Sequence, residues 1–198
     1  MNAVDTSVIK VFGDFVEDIP ATQEYLTIGF SPRGGAWRQR WSTNGISADF
    51  LGDYFATFFP GDELLEGRDR QETVKASVSY LANELLENAM KYGSTEHPVS
   101  ISLYLYVKEI IFVVSNSAAA EVVQKYQAFI EQVQTTDINE LYLKQLELAA
   151  SGGGGSGIGI LTLINDYAAR FSWKFELLAN SSLTRVTVMA HLDLEAMT

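Results

Sequence analysis

The order of hydrophobic patterns predicts a two-layer α/β sandwich, with one mixed, mainly antiparallel sheet and helices on one face. Two observations carry this. Strand-like alternation and helix-like apolar stripes succeed one another as strand, helices, two strands, helices, two strands. The later strand-like runs also come in pairs joined by short polar turns, as antiparallel neighbours are. A chain of 198 residues suits one domain, with residues 1–62 as a strand and aromatic helical segment packed on a core spanning 63–198.

Each element has its own signal. The first 20 residues carry only scattered apolar positions and end at Pro20. Residues 24–30 alternate like a strand, and Ser31-Pro32-Arg33-Gly34-Gly35 is turn chemistry. Trp37 and Trp41 stand four apart and suit core or a partner interface. Ile46 to Phe59 is rich in aromatics, with Asn44 or Ser47 as a cap and Pro60-Gly61-Asp62 as the stop. A long helix is expected from about Asp69 to Tyr92, on the stripe Val74, Val78, Leu81, Leu85 and Tyr92, with Gly93 at the C′ position. Val99–Val107 and Ile110–Val114 read as a hairpin turning at Lys108-Glu109. Residues 118–150 read as two helices broken near Thr135-Thr136-Asp137. A glycine loop and a helix to about Ala169 follow. Phe171–Leu178 and Leu183–Leu192 close the chain as an antiparallel pair turning at Asn180-Ser181-Ser182.

Composition removes several classes of function. The formal net charge of −11 disfavours nucleic acid as a partner, because phosphate binding needs clustered Lys and Arg. With no cysteine there is no disulfide and no thiolate chemistry, and His97 and His191 alone make a zinc site improbable. No apolar run approaches a membrane span and the N-terminus lacks a leader pattern, so a cytoplasmic protein is expected. There is no Gly-Lys-Ser/Thr P-loop. Gly152-x-Gly154-x-x-Gly157 follows a helical pattern rather than the strand a dinucleotide fingerprint needs.

Two stretches carry chemistry. Residues 152–159 hold six glycines in eight positions and feed the apolar helix beginning near Ile160. Backbone N–H groups at the positive end of a helix bind anions, phosphates above all; a plain Gly/Ser linker is the alternative. In Glu84-Leu85-Leu86-Glu87-Asn88-Ala89-Met90-Lys91-Tyr92-Gly93, the residues Glu84, Asn88 and Lys91 fall within about 60° of helical arc. A carboxylate can take a proton from a hydroxyl, an amide oxygen suits Mg²⁺ beside phosphates, and a lysine neutralises phosphate. The alternative is a solvated helix edge.

Taken together, the two stretches resemble the GHKL (Bergerat) ATPase superfamily across about residues 69–192. Glu84 to Gly93 is similar to its N-box, and Ser156-Gly157-Ile158-Gly159-Ile160 to its second glycine box. Thr184, in the closing strand, sits where the family places a threonine near adenine. Glu at position 84 resembles anti-sigma-factor serine kinases, since histidine kinases commonly place Asn there, and no dimerisation helix with a phosphoacceptor His is present. The segment Asn116–Ser151, with Leu141-Tyr142-Leu143-Lys144 before the glycine loop, resembles the SiaB-type branch; the aromatic N-terminal third looks like its cyanobacterial members.

This resemblance implies the Bergerat ATP-binding fold and an ATP-dependent serine/threonine kinase of a partner-switching pathway, acting on a STAS-like antagonist protein. It implies Glu84 as catalytic base and Asn88 as Mg²⁺ ligand. Lys91, Asn116, Gly155, Gly157, Ile158, Gly159 and Thr184 would join Asn88 around ATP. Residues 118–156 would form a lid, and a homodimer is compatible with the family. The chain departs from the pattern in two places. The family's Asp-x-Gly-x-Gly box is replaced by Ser115-Asn116-Ser117-Ala118, and its Gly-Thr-Thr by Leu183-Thr184-Arg185. These losses keep open a rival, a non-catalytic binding module that sequesters a regulator. A histidine kinase domain acting in trans is disfavoured by Glu84.

Overall fold

The computed structural model describes residues 9–31, 44–59, 65–152 and 157–196. Its strands are β1 (Ile9–Phe12), β2 (Tyr25–Phe30), β3 (Val99–Leu105), β4 (Glu109–Ala119), β5 (Arg170–Leu177) and β6 (Leu183–Asp193). Its helices are α1 (Asn44–Ala56), α2 (Leu65–Tyr92), α3 (Ala120–Thr135), α4 (Ile138–Ala150) and α5 (Ile158–Asp166). The strands form one sheet in the order β1-β5-β6-β4-β3-β2, and every neighbouring pair is antiparallel. The expected two-layer sandwich is therefore present, with a sheet that is antiparallel throughout.

Alternation decides which face of the sheet meets the helices. Val99, Ile101 and Leu103 of β3, Ile110, Phe112 and Val114 of β4, and Val188, Ala190 and Leu192 of β6 all point into one core. On that face α2 supplies Val74, Val78, Leu81 and Leu85, the stripe read from its spacing. Helix α1 packs closely on α2 because Gly52 has no side chain: a Cβ there would collide with Ser79 Oγ and stand 2.7 Å from the Lys75 carbonyl oxygen. Helix α3 buries Val123 and Ile130 against the sheet, whereas Leu141 is the one residue of α4 that is buried. Asp137 caps α4 by accepting from the Asn139 and Glu140 N–H groups.

Boundaries moved where long-range pairing outweighed local preference. Strand β4 was expected to stop at Val114, yet it runs to Ala119, because β6 pairs with it from Glu109↔Asp193 to Ala119↔Leu183. Asn116 is thus a strand residue, and α3 begins directly after the strand at Ala120. Strand β1 gave no signal in the sequence. It is a four-residue edge strand with only Phe12 buried, and it pairs with β5 across more than half the chain. Helix α5 ends at Asp166 rather than about Ala169, where Ala168 turns left-handed (φ 49°) and the Ala169 N–H bonds to the Leu163 carbonyl.

Strands β1 and β2 lie on opposite edges, so the chain between them crosses the outer face of the sheet. Glu17 pairs there with Lys174 Nζ at 2.7 Å, the Tyr106 hydroxyl donates to the Pro20 carbonyl, and the Thr22 hydroxyl donates to that of Leu105. This crossing explains why Ile111, which points away from the helices, is still buried. His191, read as a packing or surface residue, sits on the same face with its Nδ1 2.9 Å from Glu109 Oε2. Trp37 and Trp41 lie outside the described residues.

Candidate functional site

Between α2, α3, the first turn of α5 and the inner face of the sheet lies a cavity of about 290 Å³. Leu85, Asn88, Ala89 and Tyr92 contribute from α2, and Asn116, Ala118, Val186 and Val188 from β4 and β6. Val122, Val123, Lys125, Tyr126 and Phe129 form the α3 wall, and Gly157 and Ile160 stand at the α5 end. Asn88, Asn116 and Gly157, expected to share a site, therefore surround one space although they come from three distant parts of the chain.

The other expected residues sit elsewhere. Glu84 and Lys91 do not line the cavity, and neither do Ile158, Gly159 or Thr184. Gly155 lies outside the described residues. At about 100° per residue, the cavity-lining residues 85, 88, 89 and 92 centre some 90° round α2 from Glu84 and Lys91. Asn88 lies between the two directions. Lys91 is exposed, with its Nζ 5.1 Å from the centre of the Tyr92 ring. Thr184 is on the inner face two residues beyond Val186, past the end of the cavity.

Gly157 has two reasons to be glycine. Its φ is +87°, and a Cβ there would stand 2.5 Å from Cε2 and Cζ of Phe129. As N-cap residue it has no side chain to bond the first turn of α5, so no cap side chain competes with an external acceptor for the N–H groups of that turn. Gly159 is glycine because the Glu84 carboxylate lies where its Cβ would be. Glu84 thus abuts the first turn of α5 at Gly159. Its half-burial raises its pKa above the ordinary carboxylate value, and the charge of Glu87 adds to the shift.

Asn116 is buried, and its amide Nδ2 donates to the Ser117 carbonyl at 3.5 Å, the long limit of a hydrogen bond. Gly93 lets α2 end beside it: a Cβ there would meet the Ala89 carbonyl oxygen and come within 3.3 Å of Asn116 Nδ2. This close approach is what requires glycine, since Gly93 is not among the glycines with positive φ.

The α3 wall was not read from the sequence, and its signal was the aromatic pair Tyr126 and Phe129 at i,i+3 on the cavity side. Their rings stack at 6.4 Å, and the Trp173 indole N–H donates to the Tyr126 hydroxyl at 2.9 Å. Burial pushes the Tyr126 phenol well above its usual range, although the bond from Trp173 opposes the shift. Lys125 is the basic residue of the lining and is exposed, which places its charge at the mouth.

The donor set suits a nucleotide. Apolar walls can take a base, Asn116 can bond its edge, and the first-turn N–H groups of α5 with Lys125 can meet phosphates. Among the described residues no three His, Cys, Asp or Glu side chains gather into a metal site. A Mg²⁺ ion at Asn88 would therefore take its other ligands from phosphates and water.

No protein-family model matches the chain, and no curated protein matches it. Among solved structures, it is similar to a chain in the crystal structure of the SiaB–SiaC complex from Pseudomonas aeruginosa, at 14% identity and a TM-score of 0.50. The likeness covers 84% of this chain and 89% of that one. At this identity it shows the fold, and the fold it shows belongs to a protein found in complex with another. Among the described residues no helix is long and apolar enough to cross a membrane.

Proposed function

We propose that the chain is a GHKL-type, ATP-dependent serine/threonine kinase that phosphorylates a STAS-like partner in a partner-switching pathway. The observation that carries this is the convergence of Asn88, Asn116 and Gly157 on one cavity, with Glu84 beside the same helix turn. The likeness to a chain of the SiaB–SiaC complex supports a protein partner. In this reading bound Mg-ATP supplies the phosphoryl group. Asn88 holds the metal, and Lys125 with the first turn of α5 holds the phosphates. Glu84 takes the proton of the acceptor hydroxyl, and its raised pKa makes it a stronger base than an exposed carboxylate.

A second reading is favoured by one observation. Among the described residues no carboxylate lines the cavity, and Asn116 stands where the resembled family reads adenine with Asp. A binding module that retains the fold and sequesters a regulator, with little or no ATP turnover, accommodates that loss. Incubation of wild type and Glu84→Gln with labelled Mg-ATP and STAS-domain proteins separates the two. The kinase reading expects phosphoserine or phosphothreonine with wild type only. Tight complexes without phosphate on any partner would favour the module.

A further inference from the structure

Glu84 stands beside the cavity, outside its lining, and the residues around it form a second, differently built cluster. On α2, Tyr80 precedes Glu84 by one turn on the same edge, outside the arc that lines the cavity. Across from them α5 presents Gly159, in contact with the Glu84 carboxylate, and Thr162, whose side chain is near enough to the Tyr80 phenol to favour its ionised form. Tyr167, just past α5, stacks on Tyr80 with ring centres 5.2 Å apart and planes 18° apart. Tyr142 lies on α4, which packs against α5, and its phenol adds slightly to the raised pKa of Tyr80. Helix α5 is thus two-sided: Gly157 and Ile160 face the cavity, while Gly159 and Thr162 face the tyrosines.

Tyr80 and Tyr167 pack against the edge of the hydrophobic core without being enclosed by it. Tyr80, Tyr142 and Tyr167 are each half-buried, so each keeps contact with solvent. Their rings offer apolar area with a polar tip, the composition of protein contact surfaces rather than of phosphate sites. The cluster also meets the nucleotide cavity at one place, since Asn88 follows Glu84 by one turn of α2.

We propose that this tyrosine cluster is the acceptor subsite. Tyr80, Tyr142 and Tyr167 seat the partner segment that carries a serine or threonine, and Tyr80 is a positioning residue that orients the hydroxyl towards Glu84. The proposal rests on the kinase reading. The acceptor oxygen attacks the γ-phosphorus of bound ATP, and its proton passes to the Glu84 carboxylate. The new bond is acceptor O–P, the bond broken joins the γ-phosphorus to the bridging oxygen, and ADP leaves with that electron pair. Contact between the carboxylate and Gly159 leaves little depth beside the base, which favours a short hydroxyl side chain over a phenol.

The test measures Mg-ATP affinity by calorimetry and steady-state transfer to a STAS-domain protein with one serine acceptor, using its Ser→Ala form as blank. The chains compared are wild type, Tyr80→Phe, Tyr142→Ala and Tyr167→Ala. Tyr80→Phe keeps the ring and its stack on Tyr167, so it separates positioning from folding. The expected result is an Mg-ATP affinity within about twofold of wild type in all variants. Tyr142→Ala and Tyr167→Ala should raise KM for the partner, and Tyr80→Phe should lower kcat by about tenfold to a hundredfold. Unchanged KM and kcat in a chain that transfers phosphate overturn the subsite and leave the kinase reading standing. A wild type that binds Mg-ATP but transfers nothing to any STAS partner overturns both.

Discussion

Replacing Gly157 by alanine perturbs the junction of the cavity and α5 in two separable ways. At φ +87° a Cβ meets the backbone strain of the left-handed region, about 1–2 kcal/mol. The same Cβ would stand 2.5 Å from two Phe129 ring carbons, and forcing extra volume into such a contact costs about 1–3 kcal/mol. The sum is about 2–5 kcal/mol, a fall in Tm of about 4–20 °C for a chain of this size. Urea unfolding of Gly157→Ala, Phe129→Leu and the double variant apportions it, since the smaller side chain relieves the clash and leaves the strain. A coupling near zero, or a Gly157→Ala protein as stable as wild type, would show that Phe129 does not close over the start of α5.

Three further outcomes follow from the same geometry. Gly159→Ala displaces the end of a flexible Glu84 side chain rather than backbone, so stability should change little while phosphotransfer falls by about a hundredfold; a kinetic comparison at saturating Mg-ATP checks this. Glu84 must be ionised to accept a proton, and burial and then Glu87 raise its pKa, so the acid limb of the kcat–pH profile should lie above the ordinary carboxylate value. Glu87→Gln should move that limb to lower pH, and an unmoved limb would remove Glu84 from the proton transfer. Asn116 can both donate and accept, so ATP preference over GTP should be weak, and Asn116→Asp should sharpen it by about 1–3 kcal/mol in paired dissociation constants.

What was legible in the sequence was local and periodic. The α2 stripe, the β3–β4 hairpin and the β5–β6 pair came from patterns contained within their own segments. What was not legible depended on partners far along the chain. Ser115 to Ala119 have poor strand propensity and are strand because β6 pairs with them. The four residues of β1 are strand because β5 offers an edge. In the site, helical arithmetic grouped Glu84, Asn88 and Lys91 on one edge of α2, and of these Asn88 lines the cavity while the other two do not. It left open how far round that edge the cavity opens, which is fixed by the position of α3. The α3 wall was missed because its aromatics carry no chemistry of their own and acquire a role only through Trp173 and Gly157. Asn116 was expected at the start of a loop, whereas it is a buried strand residue that lines the cavity.

Calorimetric titration of Mg-ATP into wild type and Asn88→Ala tests the proposed nucleotide site most directly. Single-site binding by wild type, weakened by about 1.4 kcal/mol or more in Asn88→Ala, is the expected result, since that loss is a tenfold change in Kd. No binding to wild type, or equal affinity in the two proteins, would contradict the assignment of the cavity bounded by Asn88, Asn116 and Gly157 to a metal-bound nucleotide.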